Sequence, residues 1–147
     1  MPTSQIEQQL TILLRRVSSI HFSTSHGAVE VDRAAYGIMC RLADEGPQRL
    51  STLAQAFGLD PSTITRQVQA LEGAGLVTRA TDPSDRRASV LDLSEEGLER
   101  LTTTREYRRA RLNQSLVDWS EADKAEFGRL LEKFNVSLDR LVAEDPR

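Results

Sequence analysis

Apolar residues recur along this chain at helical spacing in six places, with two short strand-like runs set between the fourth and fifth. From Ser4 to about Ser23, Ile6, Leu10, Leu13, Leu14, Val17 and Ile20 form one stripe, which predicts an amphipathic helix. The segment HFSTSHGAVEV breaks that pattern and reads as a loop. A second helix starts at Asp32 as N-cap and ends at Gly46-Pro47, with Ala35, Ile38, Met39 and Leu42 on its inner face. A third begins at Ser51, turns Leu53, Ala54 and Phe57 inward, and stops at Gly58. Only Leu59 and Asp60 follow before Pro61 opens a fourth helix to about Ala74, with Ile64, Val68 and Leu71 buried; Asp at the cap and Pro at the first helical position are a strong start signal.

Gly73 and Gly75 close that helix. LVTRAT then reads as a strand, DPSDRR as a turn and ASVLDL as the returning strand, ending at Ser94 as the cap of a fifth helix. Its stripe of Leu98, Leu101, Leu112, Leu116 and Trp119 is interrupted by Arg105, Arg108, Arg109 and Arg111. Ser120 to Asp123 has the spacing of a capping box, and a sixth helix carries Phe127, Leu130, Leu131, Phe134, Leu138, Leu141 and Val142. The fold class is mainly α with a small β-hairpin (α+β), and residues 1–147 read as a single domain without repeat or linker.

Composition narrows the function classes. A chain of 147 residues buries a core without staples, and one cysteine, Cys40, excludes an internal disulfide and fits a reducing compartment. The N-terminal residues lack a secretory pattern and no apolar run spans a bilayer, so a cytoplasmic location without membrane contact is expected. The net charge of −3 argues at first against a nucleic-acid partner. Screening makes the local field decisive, however, because charges beyond about 8–10 Å are largely hidden at physiological salt. Arg66, Arg79, Arg86 and Arg87 cluster between Asp60 and Ser94, whereas much of the acid lies in the C-terminal third.

Two short helices joined by a tight glycine turn form a helix-turn-helix unit. The second carries Ser62, Thr63, Thr65, Arg66 and Gln67 toward its N-terminal half, where a recognition helix meets base edges and phosphates. Arg66 suits guanine and Gln67 a base-edge amide contact, whereas the three hydroxyls suit phosphates or thymine methyls. A capped, solvated first turn would use the same Ser and Thr residues. Ser51 has both readings too, as a backbone contact or as a plain helix cap.

At DPSDRRASVLDLSEEG the chain resembles the MarR family of transcription regulators, matched at Asp85, Arg87, Val90, Leu93, Ser94 and Gly97, and LAQAFGLDPSTITRQVQALEGAGLVTR is similar to the family's helix-turn-helix. The resemblance implies a winged helix-turn-helix over residues 32–94 and a helical dimerisation part from residues 1–31 and 95–147. It implies a homodimer on a palindromic operator in double-stranded DNA, and release of a repressor by a small aromatic or anionic effector. The apolar stripes at both ends of the chain agree with a dimer, since a small winged helix alone needs neither. Two recognition helices would then read half-sites about 34–36 Å apart.

The family's wing arginine falls on Arg87, expected in the minor groove, where a narrow A·T tract concentrates negative potential; Asp85 would hold its guanidinium and Arg86 would meet phosphate. A solvated hairpin tip with a local ion pair is the plainer alternative. His21, His26, Tyr36 and Met39 fall where the family binds its effector. Two histidines and a distant cysteine are too few for a tetrahedral metal site, and no cofactor is implied. Cys40, beside Ile38, Met39 and Leu42 with no base next to it in sequence, reads as a buried inert thiol. The arginines at 105, 108, 109 and 111 read as a solvated face or as intersubunit ion pairs. No catalytic motif is present, so an enzyme is not expected; a winged helix used only for protein–protein contact is the competing class.

Overall fold

The computed structural model describes residues 1–17 and 33–144. Among them the order is α1 (Pro2–Val17), α2 (Arg33–Glu45), β1 (Gln48–Arg49), α3 (Leu50–Phe57), α4 (Pro61–Gly73), β2 (Val77–Asp82), β3 (Asp85–Leu93), α5 (Glu95–Ser115) and α6 (Glu121–Glu144). The mainly helical class with a small antiparallel sheet is as expected. The end of the expected first helix, His21, His26 and the proposed cap Asp32 lie outside the described residues. The chain divides into two compact units, Met1–Arg108 and Arg109–Arg147.

The first unit owns the core. Ile38, Met39 and Leu42 from α2, Leu53 and Ala54 from α3, and Ile64, Val68 and Leu71 from α4 are buried together with Leu76, Val77, Leu91 and Leu101. These are the inward positions of the helical stripes, and each fully buried Leu or Ile contributes about 1.5–3 kcal/mol of transfer free energy. Phe57 is only half-covered, with its ring edge against Gly37 of α2.

The α3–α4 turn is as tight as its sequence predicts. Gly58 sits at φ 60°, ψ 32°, the left-handed region in which a Cβ is penalised. The N–H of Leu59 returns to the carbonyl of Ala54 at 3.0 Å, which closes the helix in the manner of a Schellman motif. The start of α3 differs from expectation. Arg49, not a serine, occupies the N-cap position and Ser51 already lies inside the helix. The β1–β3 pairing holds Arg49 extended, so the helix begins as soon as the strand ends.

The sheet has the order β1-β3-β2, with every pair antiparallel. Gln48 and Arg49 pair with Leu91 and Val90, whereas β2 pairs with β3 from Val77↔Leu93 out to the tip, with a register shift between Thr81 and Asp82. Strand β3 starts at Asp85, so Asp85, Arg86 and Arg87, expected in the turn, belong to the strand; Asp85 pairs with Asp82, and Arg86 and Arg87 fall in the register shift between that pair and Thr81↔Ser89. Beyond Val90, toward the tip, the hairpin is a ribbon of two strands. At its base Ser94 caps α5: its Oγ donates to the carbonyl of Gly75 at 2.6 Å and accepts from the Gly97 N–H at 2.9 Å. Gly97 is there because α5 passes so close to Leu76, the residue before β2, that a Cβ would stand 2.0 Å from the Leu76 carbonyl oxygen.

In the second unit, Ser120 caps α6 as its spacing predicts. The Asp123 N–H donates to Ser120 Oγ at 3.1 Å, and that hydroxyl donates to the Asp123 carboxylate at 2.8 Å. Trp119 packs its ring against Phe127 with centroids 5.4 Å apart. Yet α6 buries none of its residues, and Phe127, Leu130, Leu131, Phe134, Val136, Leu138, Leu141 and Val142 are all exposed.

Candidate nucleic-acid interface

The N-terminal ends of α3 and α4 and the inner side of the hairpin surround an open groove of about 420 Å³. Arg49, Ser51, Pro61, Ile64, Arg79 and Arg87 are among its lining residues. Ser51 and Arg87, expected to touch DNA, are thus brought together. Arg66 on α4 and Arg86 on β3, also expected to touch DNA, are exposed outside that lining. Arg66, Arg86 and Arg87 have no side-chain ion pair or hydrogen bond among the described residues. Desolvated, paired guanidiniums bind phosphate poorly; these three are solvated and free to do so.

The hydroxyls at the head of α4 are differently placed. The Asp60 carboxylate accepts from both Ser62 Oγ and Thr63 Oγ1. Those bonds, that of Ser62 first, hold the Asp60 pKa down at about 2. Thr65 Oγ1 donates to the carbonyl of Pro61 at 2.6 Å. Each hydroxyl has one proton, so a phosphate contact by Ser62, Thr63 or Thr65 as donor first requires an intramolecular bond to be released. Gln67 also differs from a ready base reader, because its Oε1 is buried without a partner. The amide has to turn outward before it can pair with a base edge.

The hairpin is tied down by residues that sequence reasoning missed. Arg49 Nε donates to Asp82 Oδ2 at 2.6 Å, and Asp82 Oδ1 accepts from the N–H and the hydroxyl of Ser84, both at 2.8 Å. The Ser84 bonds and the Arg49 guanidinium together hold the Asp82 carboxyl below its ordinary range. Arg79, counted with the basic cluster by sequence, is committed to Glu72 of α4 through two bonds, the shorter 2.7 Å. A partly exposed pair of this kind is worth at most about 1 kcal/mol, so its effect is to fix orientation. The only forewarning of these pairs was the turn chemistry of Asp82-Pro83-Ser84; the partners are 33 and 7 residues apart in sequence.

The wing-tip arrangement corrects one expectation. Asp85 does not clamp the Arg87 guanidinium; its Oδ1 accepts from the Arg87 backbone N–H at 2.9 Å. The aspartate therefore shapes the turn and leaves the arginine side chain unencumbered.

Of the expected effector residues, Tyr36 and Met39 are described, and they differ in environment. Met39 has no exposed surface and belongs to the core, and Tyr36 is half-buried beneath the Arg108 guanidinium, 4.1 Å from the ring centroid. Burial, then a hydrogen bond with Cys40, raises the Tyr36 pKa. Cys40 is accordingly not the isolated buried thiol its sequence neighbours suggested. It is half-buried at the edge of the core and faces Tyr36 and Arg105, whose guanidinium also grips Asp44 at 2.9 Å. Arg105 and Arg108, in place of a simple solvated face, are thus packed against α2. Among the described residues no helix is long and apolar enough to cross a membrane, and no group of three or more His, Cys, Asp or Glu side chains is placed to hold a metal.

Comparison with known proteins bears on this surface. A family profile described as the MarR family matches residues 32–89, the segment from the start of α2 into the wing. An uncharacterised helix-turn-helix-type transcriptional regulator of Bacillus subtilis, YxaD, is 36% identical over 134 residues, covering 91% of this chain and 93% of its own length. Among solved structures, MarR superposes with a TM-score of 0.80 at 23% identity, over 95% of this chain and 94% of the other. BpsR of Bordetella bronchiseptica, whose DNA binding is regulated by 6-hydroxynicotinic acid, superposes with a TM-score of 0.65 at 22% identity, over 86% of this chain and 98% of its own.

Proposed function

The chain belongs to the MarR family of DNA-binding transcription regulators, and on that premise we propose that it works as a homodimeric repressor released by a small aromatic or anionic effector. The observation that carries the DNA-contact assignment is the set of uncommitted guanidiniums. Arg66 projects from α4, and Arg86 and Arg87 project from the wing, none of them paired among the described residues. Helix α4 reads the major groove with Arg66 on a guanine edge, Arg87 enters the adjacent minor groove, and Arg86 meets a phosphate. Ser51, Ser62, Thr63, Thr65 and Gln67 make their contacts once the bonds described above rearrange on docking.

The dimer rests on α6. A helix of 24 residues with an apolar stripe and no buried residue is unsatisfied as a lone chain. A second copy of the same stripe covers it with two-fold symmetry and presents two recognition helices to a palindromic operator in the cytoplasm. Release by an aromatic acid is supported by the BpsR comparison and requires the effector to bind one dimer geometry better than the other.

Selection of genomic fragments by the purified protein, followed by footprinting, tests the reading. The expected result is a symmetric protected site with half-sites one helical turn apart, lost from the Arg66→Ala variant. Protection without symmetry would overturn the dimer, and no protection at all would return the chain to the protein–protein class.

A further inference from the structure

We infer that Arg49 is a positioning residue for DNA binding: it braces the wing through Asp82 and Ser84, so that Arg87 stands at a fixed height over the N-terminus of α4. The inference rests on the proposal that the wing touches DNA. Arg49 stands at a junction of three elements. It is the last residue of β1, it pairs with Val90 of β3, and it is the N-cap position of α3. Its side chain leaves that junction and reaches the far end of β2, where Nε meets Asp82 at 2.6 Å and Nη2 meets Ser84 Oγ at 3.3 Å.

The place it reaches is the weak point of the hairpin. Register slips between Thr81 and Asp82, and strand β1 contributes ladder pairs only at Gln48 and Arg49, opposite Leu91 and Val90. The tip beyond is a two-stranded ribbon, which by itself is marginally stable in water. Asp82 is nonetheless 8% exposed, a buried carboxylate on an otherwise exposed tip. Its two oxygens are fully used, Oδ2 by Arg49 and Oδ1 by the Ser84 N–H and hydroxyl. A buried carboxylate that lost its cation would have to move toward water, and the turn would go with it. Arg87 sits three residues past Ser84 and lines the same groove as Arg49. Movement of the turn therefore moves Arg87 relative to Pro61 and Ser51.

Plain electrostatics and positioning predict opposite signs, which makes the inference decidable. Asp82→Asn removes a negative charge near the phosphates and strengthens binding if only the field matters. If the brace matters, it weakens binding. The probe is a duplex selected from genomic fragments by the wild-type protein, with affinity read by fluorescence anisotropy. Arg49→Gln and Asp82→Asn are each expected to lose about tenfold or more, and the double variant no more than the worse single, because both break one contact. Arg49→Lys keeps the charge but not the fork that spans Asp82 and Ser84, so it is expected not to restore wild-type affinity.

Ser84→Ala, which removes one hydroxyl, gives a smaller loss of the same sign and keeps the test open should Asp82→Asn fail to fold. Faster hydrogen exchange at Ala80–Ala88 with unchanged protection in α4 supports the brace. Asp82→Asn binding as tightly as wild type, or more tightly, overturns it, as does full activity of Arg49→Lys. Arg87→Ala is run alongside: if it binds as wild type, the wing reading fails; if it weakens binding while Asp82→Asn does not, only the brace fails.

Discussion

The core of Met1–Arg108 and the helix α6 are built from similar apolar stripes, yet one is satisfied within the chain and the other is not. The inward stripes of α2, α3 and α4 meet one another and the sheet, and Ile38, Leu53, Ile64 and Val68 have almost no exposed surface. The stripe of α6 is as regular, and Phe134, its second phenylalanine, remains 37% exposed. A periodic apolar face thus specifies that a helix has an inside, without saying whether that inside belongs to the same molecule. The polar side differs as well. The wing and α4 are located by long-range bonds such as Arg49–Asp82 and Arg79–Glu72, whereas side-chain bonds of α6 link neighbours three or four residues apart, as in Arg129–Glu126 and Ser137–Lys133.

The strongest way to break this contrast is to charge the stripe. Leu131→Glu together with Phe134→Glu should leave helicity intact by circular dichroism and convert a dimer to monomers by sedimentation. Loss of the second recognition helix then costs about 10²- to 10⁴-fold in operator affinity. A variant that remained dimeric would remove the reason for treating the two regions differently. Next in size is Gly97→Ala, on the satisfied side of the comparison. With a Cβ 2.0 Å from the Leu76 carbonyl oxygen, backbone must shift, and a loss of about 3 kcal/mol is expected in urea unfolding. Ser94→Ala, which removes the α5 cap and the bond to Gly75, should cost about 1 kcal/mol in the same measurement.

The smallest effect is in acid. Asp60 and Asp82 both have pKa values lowered by folding, so the stability they contribute is complete above their ordinary value of 3.8. It is lost as pH falls, for Asp60 through about 2. Thermal melts should be flat in this respect from neutral pH to about pH 4 and fall below it. Asp60→Asn should flatten the acid limb, and an acid limb identical to wild type would sever the link.

Much of this was legible in the chain. The helices announced themselves by period and cap, and the order helix, tight turn, helix, hairpin followed from Gly58, Asp60-Pro61 and Ser94. What could not be read has a common cause, which is partnership at a distance. Strand β1 is two residues long and carries no alternation; it exists because Leu91 and Val90 lie opposite. Ser51 looked like a cap because serine caps locally, but the β1 ladder set the start of α3 one residue earlier, at Leu50. The same holds for Cys40, whose neighbour Arg105 comes from a helix sixty-odd residues away in sequence. The site was half-legible: Arg66, Arg86 and Arg87 are exposed, as a contact with DNA would require, whereas the hydroxyls of Ser62 and Thr63 are held by Asp60, a pairing that the run of polar residues did not reveal.

One feature of the wing face carries over to the ionic atmosphere of DNA. Of five arginines there, Arg49 and Arg79 are neutralised by Asp82 and Glu72. Arg66, Arg86 and Arg87 are left to displace condensed counterions, so the proposed two-fold complex would bring about six uncommitted cationic side chains into the ion atmosphere of the DNA, at phosphates or in the grooves beside them. The slope of log K against log salt should then be near −5, where ten contacts would give about −9. In an acidic chain, internal carboxylates thus set how much of the grip on DNA is surrendered when ionic strength rises.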